Sequence, residues 1–147
     1  APSAARDTMD YYGCFDMETR RIFIPVLSVA ALVQELGGRG ARVPNLEDVI
    51  CHEYGHAYAC LHPRRVRWNR TFRRLFGEPY DVMIARSRRR SPWHFVAPRA
   101  MLSPAEDFAE TFRVVVRGGG PTERSRRIRE KMEFVQGLRK VVRPSAA

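Results

Sequence analysis

Two periods of apolar residues alternate along the chain, and each predicts a different element. Tyr11-Tyr12-Gly13-Cys14-Phe15 and Arg21-Ile22-Phe23-Ile24 are runs rich in β-favourable residues. They flank Asp16-Met17-Glu18-Thr19, whose residue types favour a turn, so residues 11–25 read as a hairpin. The period then lengthens. Ser28 can cap a helix bearing Val29, Leu32, Val33 and Leu36 on one face, which Gly37-Gly38 would close. After a turn-rich stretch through Pro44, a second helix is predicted from Asn45 to about Leu61, with Val49, Ile50, Ala57 and Leu61 as its apolar surroundings. Pro63 stops it, because the residue before a proline is pushed out of helical geometry. Asn69 to Phe76 reads as a short helix with Phe72, Leu75 and Phe76 inward, ending at Gly77. Ser103-Pro104 opens another helix, which Gly118-Gly119-Gly120 ends. The last helix is expected from Thr122 to Val142, since Ile128, Met132, Val135, Leu138 and Val142 recur at helical spacing. The pattern predicts an α+β fold, a small sheet or hairpin packed on several helices, in one domain over residues 1–147 with 1–10 and 143–147 flexible.

Composition adds little to the fold and more to the surface. With 44% hydrophobic and 29% charged residues, the chain is neither disordered nor fibrous in type. No apolar run reaches the roughly 18 to 20 residues that a membrane helix needs, so no transmembrane segment is expected. The opening Ala1-Pro2-Ser3 carries neither an initiator Met nor a signal-peptide core, which suggests a trimmed chain, a processed product or one domain cut from a longer protein. The net charge is +10, and it is borne by arginine, because Lys131 and Lys140 are the only lysines. Such a surface suits nucleic acid, a membrane surface or an acidic protein as partner, though the arginines are spread widely and also suit a plain solvated surface. Cys51 and Cys60 fall on one helix roughly 13 Å apart along its axis, too far to bond to each other. Buried thiols are therefore expected, with a bridge from Cys14 still open.

One pentapeptide carries chemistry. His52-Glu53-Tyr54-Gly55-His56 sets two imidazoles four residues apart on one helical face, within reach of a single metal ion. Glu53 is one residue on, where a carboxylate can stand beside the ion and take a proton from water. A third ligand has two candidates. His62 completes a His-x-x-x-His-x-x-x-x-x-His spacing, which requires a sharp turn after the second histidine, usually made by glycine. Ala59 occupies that place, and on a continuing helix His62 lies about 9 Å further along the axis than His56. Glu106 is the second candidate, in Ser103-Pro104-Ala105-Glu106-Asp107-Phe108-Ala109-Glu110. Glu110 shares its helix face and could hold a ligand histidine's distal N–H. Ser103-x-x-Glu106 is also a capping box, which would explain Glu106 without a metal.

The helix at 51–57 and the segment from about 95 to 112 together resemble gluzincin zinc metallopeptidases, most closely the catalytic-domain type of anthrax lethal factor and related bacterial enzymes. A weaker echo lies in the hairpin at 11–25. The resemblance implies a zinc-dependent endopeptidase acting on protein or peptide substrates, with Zn2+ on His52, His56 and Glu106, Glu53 as general base, and Glu110 supporting the ligands. It also implies a secreted or injected bacterial effector working in a reducing cytosol. Members carry a tyrosine seven residues before the glutamate ligand, where it supports the oxyanion. This chain has Arg99 there, so Arg99, His94 and Tyr80 are the candidates for that role. An edge strand that pairs with extended substrate in such enzymes would fall on Arg21, Ile22, Phe23 and Ile24. The Arg-rich stretch between the motifs allows a variant reading, a protease of nucleic-acid-associated proteins. A non-catalytic module with a structural zinc fits less well, since it would need four protein ligands.

Overall fold

The computed structural model describes residues 14–24, 46–82, 91–119 and 125–140. Among these, two strands and four helices follow in the order β1 (Cys14–Asp16), β2 (Arg21–Phe23), α1 (Leu46–Leu61), α2 (Arg70–Phe76), α3 (Pro104–Val116) and α4 (Arg126–Lys140). Two short 3-10 turns, Pro92–His94 and Pro98–Met101, lie between α2 and α3. The expected α+β architecture, a small sheet packed on helices, is the observed one. The expected helix at 28–36, the cap at Asn45, Tyr11–Gly13, Val142 and the two flexible ends lie outside the described residues.

The hairpin pairs Cys14 with Phe23, Phe15 with Ile22 and Asp16 with Arg21. Asp16 closes β1 as well as shaping the turn: its carboxylate accepts from the Glu18 backbone N–H at 2.9 Å and the Thr19 hydroxyl at 2.6 Å. These bonds hold its pKa below the ordinary value. Both strands rest against α1.

Helix ends fall where capping chemistry puts them. The Asn69 side chain accepts from the Thr71 and Phe72 backbone N–H groups at 2.8 and 3.2 Å, and Gly77 ends α2 at φ 102°. Ser103 accepts from the Glu106 N–H at 3.1 Å and Pro104 occupies the first turn of α3. At the other end Gly118 adopts φ 82°, a conformation cheap only for glycine, while Gly119 N–H donates back to Val114 at 2.8 Å.

The core joins α2, α3 and α4 to the C-terminal half of α1. Phe72 and Phe76 stack at 4.8 Å, and Phe108 meets both edge-on at 5.7 Å. Ile128, Met132, Val135 and Leu138 all turn inward from α4, as their spacing requires. The apolar surroundings expected for α1 divide: Val49 and Ala57 are buried, but Ile50 and Leu61 are 41% and 49% exposed. The reason is geometric, since α3 covers the side of α1 that presents His52, Gly55 and Ala59, and Ile50 and Leu61 lie off that side.

Gly55 sets how closely α1 and α3 approach. A Cβ there would sit 3.0 Å from Ala109 Cα and 3.2 Å from Phe112 Cβ. With glycine facing alanine, the two backbones come close enough for carboxylates on α3 to reach imidazoles on α1.

Candidate metal centre

His52 and His56 project from one face of α1, and Glu106 faces them from the first turn of α3. The two Nε2 atoms are 3.1 Å apart. Glu106 places Oε2 3.3 Å from His52 Nε2 and Oε1 3.3 Å from His56 Nε2. One ligand atom from each of the three residues lies within 4.8 Å of the other two. Four ligand atoms around a tetrahedral ion, at bonds of about 2.0–2.1 Å, stand roughly 3.3–3.4 Å from one another. The two imidazole nitrogens stand near that spacing, and each has one Glu106 oxygen at 3.3 Å, a different oxygen for each. These residues can therefore converge on a metal ion, with the carboxylate reaching it through one or both oxygens.

Supporting groups fix the triangle. The Nδ1 of His52 lies 2.6 Å from Glu110 Oε1. A proton on Nδ1 donated to Glu110 leaves Nε2 with its lone pair towards His56 and Glu106. Arg113 holds the far oxygen of Glu110 at 2.8 Å, and its guanidinium also faces Asp48 at 3.5 Å. Arg99 Nε donates to Glu106 Oε2 at 2.6 Å. The capping reading of Glu106 is half realised: Ser103 caps the Glu106 N–H, while the Glu106 carboxylate turns to Arg99 and the histidines.

The electrostatics follow from this wiring. Burial favours neutral carboxyls at Glu106 and Glu110, but the hydrogen bonds outweigh it. At Glu106, His52 and His56 are the strongest counterweights and Arg99 adds its charge, holding the carboxyl well below the carboxylate range. At Glu110, His52 and Arg113 bring the pKa down to about 2. Burial pulls His52 towards its neutral form, yet the bonds with Glu106 and Glu110 leave its pKa above the ordinary value. Two carboxylates thus face one buried imidazole, and each is also held by an arginine, Glu106 by Arg99 and Glu110 by Arg113.

Glu53 is 3% exposed, has no hydrogen-bond or ion-pair partner among the described residues, and lines a cleft of about 250 Å³ with His56 and Glu106. Tyr80 and Arg99 share that cleft. The Tyr80 hydroxyl is buried with no hydrogen-bond partner among the described residues, and burial pushes its pKa well up, so it stays protonated. Arg67 lies 5.0 Å over its ring and pairs with Asp81 at 3.3 Å.

The other expected residues fall elsewhere. His62 is exposed at the end of α1, donates its backbone N–H to Tyr58 at 2.9 Å as a continuing helix does, and packs at a tilt against the Tyr58 ring at 4.6 Å. It lies outside the ligand triangle, because the helix does not turn after His56. His94 is also absent from the cleft. Its carbonyl accepts from Lys131 at 2.8 Å, which ties its 3-10 turn to α4 on another side of the molecule. Arg21, Ile22 and Phe23 form β2, with Ile24 just beyond, but the cleft is lined by Cys14 and Phe15 of β1 and by Met17 of the turn. The strand beside the triangle is therefore β1. Sequence reasoning also missed Cys60, Arg67, Asp81 and Arg113. Cys60 and Arg113 were findable, four residues after His56 and three after Glu110; nothing in the sequence marks Arg67 or Asp81.

No protein-family model, curated protein or solved structure matches the chain.

Proposed function

We propose that the chain is a zinc-dependent endopeptidase, with His52, His56 and Glu106 as ligands. The observation that carries this reading is the ligand triangle opening onto the cleft lined by Glu53. Three protein ligands leave a place for water or substrate, the arrangement of catalytic rather than structural zinc. Bound there, zinc supplies Lewis acidity, polarising a carbonyl and acidifying water.

The chain's own groups do the rest. Glu53, without a competing partner among the described residues, accepts a proton from the attacking water and returns it to the leaving amine. The Tyr80 hydroxyl, without a partner among the described residues, serves as donor for the oxyanion that develops on the carbonyl, while Arg99 gives its Nε–H to Glu106. Glu110 keeps His52 in the tautomer that presents Nε2. The backbone of β1 at the cleft wall can pair with an extended peptide, giving affinity with little sequence choice.

Metal analysis of the purified protein, combined with cleavage of an unbiased peptide library, tests the proposal. One zinc per chain is expected, retained by Glu53→Gln and lost by Glu106→Ala, with cleavage lost in both. A chain that takes up no zinc, or a Glu53→Gln variant that cleaves like the parent, rules the reading out.

A further inference from the structure

A second concave feature lies on the other side of α3. Two hollows of about 390 and 330 Å³ share Leu75, His94 and Arg127 and run together as one furrow between the end of α2, the Pro92–His94 turn and the first half of α4. It shares no lining residue with the metal cleft.

The furrow is cationic in a way the fold does not require. Arg74, Arg126 and Arg127 line it, and α4 begins with Arg126 and Arg127 and has no acidic residue in its first turn. Cations at that end oppose the helix dipole, which favours anions there. The carboxylates in the furrow are taken: Glu130 pairs with Arg126 at 2.9 Å and Asp107 with Lys131 at 2.5 Å. Arg74 and Arg127 have no carboxylate partner among the described residues, and Arg127 donates to the Leu75 carbonyl at 3.3 Å. Trp93 precedes His94 in the turn that borders the furrow; it does not line either hollow, and its side chain is 79% exposed with no ring contact among the described residues.

We propose that this furrow and the turn that borders it bind single-stranded nucleic acid, with phosphates on Arg74, Arg126 and Arg127 and a base leaving the furrow to stack on the exposed Trp93. Guanidinium pairs bidentately with phosphate, and an exposed indole offers the flat face on which bases stack regardless of sequence. An acidic peptide would use the arginines and leave the indole idle. Binding is read without turnover, so this inference stands or falls separately from the peptidase reading.

The test is fluorescence anisotropy of a labelled oligothymidylate titrated with the full chain over a range of salt concentrations. Binding should weaken steeply with salt. Arg74→Gln with Arg127→Gln should lower affinity at least about tenfold and flatten the salt slope by about 1.4, near 0.7 for each phosphate that is no longer neutralised. Trp93→Ala should cost roughly tenfold. Because Arg127 also bonds the Leu75 carbonyl, Arg74→Gln with Arg126→Gln serves as a second variant, with thermal melts confirming folding of both. Arg64→Gln with Arg65→Gln, exposed but outside the furrow, should change little. No binding, or parental affinity in both folded furrow variants, overturns the proposal. So does polyglutamate displacing the oligonucleotide as readily as unlabelled oligothymidylate while Trp93→Ala binds normally, which would mark an acidic-protein surface instead.

Discussion

Helix α3 carries buried acids on two sides, and the sides are wired differently. Towards α4, Asp107 meets Lys131 at 2.5 Å, both side chains 1% exposed, with Lys131 also 4.4 Å from the centre of the Phe95 ring. Towards α1, Glu106 and Glu110 meet imidazoles, with Arg99 and Arg113 behind them, and the group opens onto a cleft. In the first, the carboxylate faces a lysine, which offers no lone pair, and the pair is almost wholly buried. In the second, ligand atoms of three residues lie within 4.8 Å of one another. Consecutive residues, Glu106 and Asp107, thus serve opposite ends: one can recruit an ion and the other secures the helix. Burial alone does not separate a site from a strut; what the carboxylate faces does.

The comparison can be broken at either side. The largest effect is expected from Glu53→Gln, which should cut peptide hydrolysis by about 10²–10⁴ while zinc content stays unchanged, measured by steady-state kinetics and metal analysis. On the sealed side, Lys131→Met leaves Asp107 buried against an apolar group and should cost about 3–5 kcal/mol of stability in denaturant melts. Adding Asp107→Asn should return much of that loss; if the single variant is as stable as the parent, the pair is no strut. Tyr80→Phe removes one hydroxyl from the cleft and should lower kcat by about 10²–10³, with KM and zinc content little changed. Glu110→Gln keeps the shape but weakens the hold on His52, so zinc affinity should fall about 10–100-fold in chelator competition. His62→Ala, on the same helix but outside the triangle, should shift stability by no more than about 0.5 kcal/mol and leave zinc affinity intact. A loss of zinc there would reverse the choice of third ligand.

Most helices were legible because their signals are local. Asn69, Ser103 and Gly118 mark ends through capping and φ preferences that need only near neighbours, and the face of α4 follows from spacing alone. The same local logic put His52 and His56 on one face and argued against His62, because Ala59 continues the helix. It failed for Ile50 and Leu61, since an apolar residue on a helix is buried only where another element covers it. The resemblance pointed to His94 and β2, but which wall of a cleft a loop or strand forms is set by packing that neither motif encodes.

By itself, then, the sequence determined the elements, the spacing of the two imidazoles, and Glu106 and Glu110 as a pair on one helix face. Tertiary packing alone decided that Gly55 against Ala109 brings those carboxylates to His52. It also set Arg99 on Glu106, left the Tyr80 hydroxyl buried without a partner among the described residues, and turned Asp107 the other way to Lys131. The division has one physical cause. Periodicity and capping act over a few residues, whereas a metal site is set by distances between side chains on different helices, fixed only when those helices pack.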